Sequence, residues 1–377
     1  MKIEQGQISN TQLTTLIFAF LQASVLTVNF IFPLTKQSSW LAVLAGFAAS
    51  IPFLLILTAI ARSFPGKNLI EINDLVFGRY LGKVFSLLYL WFFFQLIIHY
   101  TYFFNSFWIT YIMPETPRAA FTIMFALVCG MAVWKGLEVI ARVSFLFSVT
   151  VVVTTLIITV LLIRDMKFSY LLPVFDFTAD VFFQSSLITA TIGFCELVIF
   201  LMIFPYTAQK RQIRKPVLLG SALCAVQLLL VVFRGILVMG PQILITSSVS
   251  FAVARVIDIA DILTRLDVLV AIAQLITVFM KISIFAYATV FSAAQMLKLR
   301  SYNHLIVPFA ALSTSIAANL YSSDMEQVFA GTYIWPYNAA FYEIVLPTVT
   351  FLVILVKKQR KKKEKAAPAG LNPEVPL

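Results

Sequence analysis

Residues 184–207 read QSSLITATIGFCELVIFLMIFPYT, a mostly apolar stretch with one carboxylate near its centre. About 20 apolar residues in a helix cross the roughly 30 Å hydrocarbon core of a bilayer, so this stretch is long enough to span a membrane. Glu196 lies near the middle of the stretch, three residues after Gly193. A charged side chain at bilayer depth is costly unless it faces protein or water and finds a partner. Glu196 is therefore predicted to face the interior of a helical bundle.

The composition of the whole chain is typical of an all-α polytopic membrane protein. Of its 377 residues, 60% are hydrophobic and only 12% are charged, whereas soluble domains carry about 25% charged residues. The formal net charge is +11, but the basic residues are concentrated in short connectors and in the C-terminal tail. This distribution predicts topology signals and no nucleic-acid partner. The three cysteines fall within apolar segments and are predicted to be small buried residues, without a disulfide or a bound metal.

Ten apolar segments, separated by polar or turn-rich connectors, predict ten transmembrane helices. The predicted spans 1 to 10 cover residues 10–33, 38–61, 84–112, 119–134, 140–163, 184–207, 216–240, 268–297, 304–321 and 338–356. With a cytoplasmic N-terminus, most of the 28 Lys and Arg residues lie on the cytoplasmic side, which satisfies the positive-inside rule. Both termini are therefore predicted to be cytoplasmic.

Ten spans divide into two halves of five with opposite topology, the inverted-repeat arrangement of many secondary transporters. The first repeat is predicted to cover residues 1–163, and the second residues 184–356, with residues 164–183 as an outer connector. No sequence identity between the halves supports this division, which depends on the parity of the spans. Residues 357–377 form a tail whose basic run KKQRKKKEK is predicted to bind anionic lipid, and whose last residues are predicted to be disordered.

Two further features, a connector and an arginine, lie near the predicted outer face. The connector 241–267 is too apolar for a plain loop and predicts a short amphipathic helix, capped by Ser250 and reaching Leu266. Such a helix is either a lid over the bundle or a segment lying at the interface. Arg234 is about six residues from the outer end of span 7 and is expected to extend its guanidinium toward the interface.

Four polar side chains are predicted to lie near the bilayer midplane, at a rise of 1.5 Å per helical residue. Glu196 is about 12 residues into span 6, and Lys281 is about 13 residues into span 8. Gln22 is at the centre of span 1, and His99 is at the centre of span 3. In an inverted repeat of five, span 1 corresponds to span 6 and span 3 to span 8, so these helices are predicted to surround a central site.

Further polar residues extend these positions along the same helices. The residues predicted to line the central site are Gln22, Ser24, Thr27, His99, Tyr102, Gly193, Glu196, Lys281 and Tyr287. Their carboxylate, ammonium, imidazole, amide and hydroxyl groups suit a small zwitterionic ligand such as an amino acid. A structural interpretation stands beside this one: Glu196 and Lys281 neutralise each other as a buried pair that fixes helix register. The hydroxyl and amide groups then serve as ordinary interhelical hydrogen bonds.

Five ordered stretches of the chain resemble the endospore germination permeases, the GerAB-like B subunits of nutrient germinant receptors. They read PGKNLIEINDLVFGRYLGKVFSLLY (65–89), MPETP (113–117), WKGLEVIARVSFLF (134–147), GFCELVIFLMIFPY (193–206) and RLDVLVAIAQLITVFMKISIFAYA (265–288). The resemblance extends from about residue 9 to residue 356. It implies a ten-helix inverted-repeat fold of the LeuT and amino acid–polyamine–organocation (APC) type, in the inner membrane of a spore.

The resemblance also implies residue roles and partners. The family's Gly-x-x-Glu in span 6 maps onto Gly193 and Glu196, its acidic residue at the start of span 8 onto Asp267, and its span 8 lysine onto Lys281. It implies a nutrient ligand, commonly an amino acid or a sugar, and assembly with an A-type membrane subunit and a C-type lipoprotein. Relatives often carry glycines where span 1 unwinds around the ligand. Residues 22–33, QASVLTVNFIFP, contain none, so an unwound span 1 is left open.

Three classes of function compete at this point. The leading hypothesis is the B subunit of a nutrient germinant receptor, which binds a small nutrient at the midplane and triggers germination with its A and C subunits. The alternative is an ion- or proton-coupled amino-acid transporter in which Glu196 or His99 titrates. An enzyme is disfavoured, because the sequence shows no metal-ligand cluster, no nucleophile with a neighbouring base and no phosphate-binding glycine loop. No cofactor is predicted.

Overall fold

The computed structural model describes residues 6–246, 248–256 and 266–366, and in these ranges the chain is helical, with a single isolated β-bridge between Ile8 and Thr207. The α-helices, numbered α1 to α15, are Asn10–Gln22, Val28–Thr35, Ser39–Ser63, Leu69–Phe77, Leu81–Tyr111, Arg118–Lys135, Leu137–Leu161, Ala179–Ile188, Arg214–Met239, Val249–Arg255, Asp267–Met296, Asn303–Ala318, Asp324–Tyr333, Trp335–Ala340 and Leu346–Ala366. Shorter 3₁₀- and π-helical segments join several of them end to end.

The described residues contain eight helical segments that are long and apolar enough to cross a membrane, which makes this a multi-pass membrane protein. The first segment, Asn10–Ser63, has 54 residues and is divided at Lys36, whose φ of +48° interrupts the helix. Because α2 packs against α3, the two halves form a hairpin of two membrane-length pieces. Helix α12 is apolar but shorter, with 16 residues. The count of ten spans and the cytoplasmic termini stay predictions.

Most helix ends lie within a few residues of the predicted spans, but two helices lie in segments predicted to be connectors. Helix α4 has a reciprocal capping box, in which Asn68 accepts from the Glu71 backbone and the Glu71 side chain accepts from the Asn68 backbone. Helix α13 begins after Ser323, whose hydroxyl accepts from the backbone of Glu326. Both caps satisfy backbone donors that would otherwise be free, so these polar stretches form helices.

Two further predictions differ from the structure at helix ends. Helix α10 begins at Val249, so Ser250 lies inside the helix and does not cap it. Most of its predicted extension toward Leu266 falls in residues 257–265, outside the described part of the chain. Helix α15 continues through the basic run to Ala366, where a separate tail was predicted after residue 356. Residues 367–377, predicted to be disordered, also lie outside the described residues.

The stretch with Glu196 lies at the centre of the bundle. The most apolar 18 residues of Ala179–Met202 are 89% buried inside the protein, whereas those of Arg118–Lys135 are 28% buried. The segment Ala179–Met202 is therefore surrounded by other helices, and Arg118–Lys135 lies at the surface of the bundle. Gly46 of α3 allows the closest approach to this central segment, because a Cβ there would meet Thr189 Cβ at 2.6 Å and Ser186 O at 2.7 Å.

Three spans depart from α-helical geometry near the centre of the bundle. The first span changes to a 3₁₀-helix at Ala23–Thr27. The central span changes from α8 to a π-helix at Thr189–Phe194 and then to a 3₁₀-helix at Cys195–Met202. A π-helix at Phe341–Val345 joins α14 to α15. Such changes of pitch free backbone carbonyls from the regular ladder and are frequent at functional sites. The first span is therefore rewound into a tighter helix at the place where unwinding was left open.

Candidate functional site

Glu196 and Lys281 form a buried ion pair at the junction of the irregular segments. Lys281 Nζ lies 2.6 Å from Glu196 Oε2, and both side chains are 0% exposed. Glu196 is the second residue of the 3₁₀ segment Cys195–Met202, and Lys281 is at the middle of α11. An unpaired charge at this depth would carry a large desolvation cost, and each group supplies a counter-charge that offsets this cost for the other.

Ser24 connects this pair to the rewound part of the first span. Lys281 Nζ lies 3.4 Å from Ser24 Oγ, and the Ser24 hydroxyl donates to Gly193 O at 2.9 Å. Gly193 O accepts this bond because it lies in the π-helix Thr189–Phe194, where the pitch changes. A Cβ at Gly193 would meet only Thr189 Cγ2, at 3.7 Å, so this glycine is not required for close packing. Three spans thus meet through one hydroxyl group.

Aromatic rings complete the surroundings of the pair. The Tyr100 hydroxyl donates to Glu196 Oε1 at 3.0 Å. Lys281 Nζ lies 4.5 Å from the centre of the Tyr100 ring and 5.1 Å from that of Phe20. Ring faces attract a cation, most strongly when it is desolvated. The Lys281 ammonium is therefore stabilised by a carboxylate and two ring faces.

A second buried carboxylate, Glu343, lies beside the pair and was missed from the sequence. It is 0% exposed, in the π-helix Phe341–Val345, and it interacts electrostatically with Glu196 and Lys281. Neither Glu343 oxygen has a hydrogen-bond partner within the described part of the chain. Of these two carboxyl groups, only that of Glu196 lies within ion-pair distance of Lys281 in the described part of the chain, while Glu343 interacts with the ammonium at longer range. An acidic residue inside an apolar span was the available signal, but span 10 was predicted to begin at residue 338, which placed Glu343 near its edge, whereas the helix begins at Trp335.

A small aromatic cavity of about 50 Å³ lies next to Tyr100. Its walls come from the first span, α5, the π-helix, the α12–α13 connector, α13 and α14, and its lining includes Phe30, His99, Tyr100, Phe103, Ile192, Tyr321 and Trp335. His99 Nδ1 lies 2.8 Å from the backbone oxygen of Gln95, and its ring centre lies 4.1 Å from that of Trp335. A cavity of this size holds a few water molecules, so the structure is a closed one at this point.

Tyr102 faces a different part of the protein from the ion pair. Its ring packs edge-on to Tyr321 at 5.0 Å, and it lines a wider cavity of about 350 Å³ with Arg118 and Asn105. Burial, with the nearby charge of Glu326 and with Tyr102, raises the pKa of Tyr321 to about 12. Tyr321 lines the aromatic cavity and Tyr102 lines the wider one, so the two cavities adjoin at this pair of rings.

The other predicted residues are distributed around the pair. The Thr27 hydroxyl donates to Ser24 O at 2.6 Å, within the rewound segment. Tyr287 is fully buried among the rings of Phe291 and Tyr302, two turns along α11 from Lys281. Asp267 is bonded to Arg255, with 3.2 Å between Oδ2 and Nε, at the start of α11. The structure thus brings Ser24, Gly193, Glu196 and Lys281 together. Thr27, Tyr287 and Asp267 lie outside this cluster.

Gln22 and Arg234 lie on the opposite side of the first span. Gln22 was predicted to line the central site with Glu196. Instead, Gln22 Nε2 donates to Gln227 Oε1 at 3.0 Å, and its side chain points away from Glu196. Arg234 is only 4% exposed, and its guanidinium donates to Thr155 O at 3.2 Å and to Thr159 Oγ1 at 3.3 Å. Its guanidinium therefore points into the bundle and not toward the interface, because it is held by these two acceptors on α7.

The chemical character of the cluster is that of a charge-binding site. It holds two carboxylates, one ammonium and a phenol in a closed, low-dielectric region. In the described part of the chain, no group of three or more His, Cys, Asp or Glu side chains is placed to hold a metal ion. A zwitterion or a cation entering this region could replace internal pairings with equivalent ones, which is how a buried charged site binds without a large desolvation cost.

Solved structures of membrane transporters share this fold. One is the nucleobase-cation-symport-1 family transporter MHP1 in a closed conformation with bromovinylhydantoin bound, with a TM-score of 0.68 and 10% identity, covering 93% of this chain and 78% of that one. Another is MhsT in complex with L-phenylalanine, with a TM-score of 0.69 and 11% identity, covering 93% and 89%. A Na⁺-coupled sialic acid symporter gives 0.64 and 11%, covering 87% and 80%. The protein therefore has the LeuT-like fold of secondary transporters, as predicted.

The chain belongs to the spore germination protein family, because the model of that family matches residues 7–324. Spore germination protein KB of Bacillus subtilis (strain 168) is 26% identical over 382 residues, covering 97% of this chain and 100% of that protein. Spore germination protein B2 of the same strain is 24% identical over 192 residues, covering 50% of each chain. These findings confirm the resemblance and indicate a multi-pass membrane protein of spore germination that is not an enzyme.

Proposed function

We propose that this protein is the nutrient-binding B subunit of a germinant receptor, and that its ligand is a small zwitterion, such as an amino acid, held beside the Glu196–Lys281 pair. One observation carries the proposal: Tyr100 both lines the aromatic cavity and donates a hydrogen bond to Glu196. A ligand in the cavity thereby contacts the same side chain that orients the buried carboxylate.

The surplus carboxylate gives the ligand's ammonium group a place to bind. Glu343 has no hydrogen-bond partner among the described residues, although it lies near Glu196 and Lys281. A ligand ammonium pairs with the two carboxylates, while the ligand carboxylate is attracted to Lys281. Because the cavity measures about 50 Å³, the nutrient enters only when aromatic side chains such as Trp335 and Tyr321 move apart. The opening is the conformational change that signals binding.

Signal transfer is proposed to occur through partner subunits in the inner membrane of the spore. The family membership supports a role in germination, and the resemblance in sequence implies an A-type membrane subunit and a C-type lipoprotein. The lipid-facing surface of helices such as Arg118–Lys135 leaves area for another membrane subunit. The basic run at the end of α15 is proposed to contact anionic lipid at the membrane surface.

Coupled transport of an amino acid is the second candidate function. Two structural relatives are described as a cation symporter and a Na⁺-coupled symporter. Glu343, which has no hydrogen-bond partner among the described residues, favours this possibility, since a buried carboxylate can carry a proton or a cation through a transport cycle. The two functions differ in one measurable property, which is net movement of the nutrient.

Spores lacking the protein are expected to lose the germination response to one or a few nutrients in a dose–response screen of single amino acids and sugars. Reintroduction of the gene restores the response. The purified protein in lipid vesicles is expected to bind that nutrient without accumulating it inside. Accumulation of labelled nutrient by the protein alone would favour the transporter, and an unchanged response of the deleted spores to every nutrient would contradict the receptor function.

A further inference from the structure

A second cavity, of about 70 Å³, lies on the other side of the first span from the Glu196–Lys281 pair. It is enclosed by the first span, α7, α9, α10 and α11. Its lining is rich in amide and hydroxyl side chains, among them Gln22, Thr155 and Gln274, together with Arg234. Only Leu26 is shared with the lining of the aromatic cavity. The two cavities are therefore separate spaces that meet at one residue of the rewound segment Ala23–Thr27.

We propose that this cavity binds a small carboxylate through Arg234, as a second ligand distinct from the one at the Glu196–Lys281 pair. Binding of the carboxylate does not depend on the nutrient site, whereas its effect on nutrient affinity rests on the proposed function. Among the described residues that line the cavity, Arg234 alone carries a charge. Within the described part of the chain, no Asp or Glu oxygen lies within ion-pair distance of its guanidinium.

Two residues that line the cavity carry buried donors without a partner in the described part of the chain. Arg234 uses Nη1 for Thr155 and Thr159, while its Nε is buried and has no partner among the described residues. Gln274 Nε2 is likewise buried without a partner in the described part of the chain. A buried donor left unsatisfied costs about 1–3 kcal/mol, and more for a charged group. Two such donors on one small cavity indicate that an acceptor belongs between them.

A carboxylate fits these groups better than water does. Water satisfies the donors but leaves the buried guanidinium charge without compensation. A carboxylate supplies both the charge and two acceptor oxygens, and guanidinium geometry matches a carboxylate in two parallel hydrogen bonds. The volume of about 70 Å³ accommodates formate or acetate and excludes a sugar acid such as gluconate.

The position of the cavity gives its ligand an effect on the central site. Gln22, Ala23 and Leu26 line the Arg234 cavity, whereas Ser24, in the same short helix, contacts Lys281 and Gly193. Filling the cavity therefore favours one conformation of the rewound segment, and that segment positions the hydroxyl group next to the ion pair. The carboxylate acts as a co-ligand that changes nutrient affinity, and linkage requires the nutrient to change carboxylate affinity by the same factor.

The test uses the purified full-length protein in detergent, with the sodium concentration held constant. Sodium acetate is titrated against sodium gluconate, and the thermal midpoint of unfolding is recorded. A saturable rise in the midpoint with acetate is expected for the unaltered protein. In Arg234→Gln, the apparent acetate affinity is expected to fall at least roughly 10-fold, because a charge-assisted hydrogen bond is lost.

A second variant keeps the test decisive if Arg234→Gln does not fold. Gln274→Glu places a carboxylate inside the cavity, so this variant is expected to be stable without acetate and to show no acetate response. Lys36→Met, at a partly exposed ion pair with Asp176 that lines neither cavity, should keep the full response. The proposal is overturned if acetate gives no more stabilisation than gluconate, if chloride stabilises and acetate does not, if Gln274→Glu still responds, or if Lys36→Met loses the response.

Discussion

Replacing Lys281 with methionine is expected to destabilise the protein by about 3–5 kcal/mol, the typical cost of removing one partner from a buried ion pair. The loss is large here because Lys281 is the ion-pair partner of the fully buried Glu196. Without it, Glu196 and the nearby Glu343 are two interacting acidic groups in a region with 0% exposure of either side chain. The thermal midpoint of the purified protein and the amount of folded protein in the membrane measure the effect.

A compensating substitution separates lost charge balance from lost packing. Adding Glu196→Gln to Lys281→Met removes both charges of the pair, and this neutral-pair variant is expected to recover part of the stability, because Glu343 then has no acidic neighbour in Glu196 although it still lacks Lys281. Lys36→Met is the matched control, since its ion pair with Asp176 is about half exposed and contributes about 0–1 kcal/mol. A Lys281→Met protein as stable as the control, or a neutral pair no more stable than Lys281→Met, would contradict this account.

Glu196→Gln alone is expected to abolish the nutrient response of spores, or to raise the required nutrient concentration by about 30-fold or more. The ligand's ammonium group loses one of its two carboxylates, while the amide can still accept from the Tyr100 hydroxyl. Glu343 remains near Lys281 and compensates its charge. The variant is therefore expected to fold, in contrast to Lys281→Met. Germination rate against nutrient concentration measures the response.

The control for this experiment is Glu138→Gln, a carboxylate substitution at an exposed ion pair with Arg142 on α7. That variant should germinate normally, and both variants should be present at the normal level in spore membranes. If Glu196→Gln spores respond to the nutrient as the unaltered spores do, then Glu196 is a structural residue that fixes helix register. The central site would then have to lie elsewhere in the bundle.

The sequence predicted much of the fold because membrane burial imposes simple rules on helices. Apolar length gave the spans to within a few residues, and the resemblance to the germination permeases gave the family. The short helices at Leu69–Phe77 and Asp324–Tyr333 were missed, since they are set by capping residues and carry no long apolar run. The changes of pitch at Ala23–Thr27 and Thr189–Phe194 were not predictable either, because they depend on contacts between spans.

The candidate site was predicted in part, and the reason is geometric. Depth along a helix can be counted from a sequence, so the pairing of Glu196 with Lys281 was accessible. The direction in which a side chain points around the helix depends on packing. Gln22 has the right depth and faces Gln227, while Glu343 was overlooked because span 10 was predicted to begin three residues too late. Tyr100, one residue from His99, was not predicted to contact Glu196, because the direction of its side chain around the helix also depends on packing.

The most direct test of the central claim is nutrient binding by two purified proteins, the unaltered one and the neutral-pair variant Glu196→Gln with Lys281→Met. The neutral pair is used because it is expected to stay folded, so that a loss of binding reports on the charges. Calorimetric titration with the nutrient identified in spores should give saturable binding to the unaltered protein and at least roughly 30-fold weaker binding to the variant. Equal affinities in two folded proteins would contradict the assignment of the nutrient to this charged cluster.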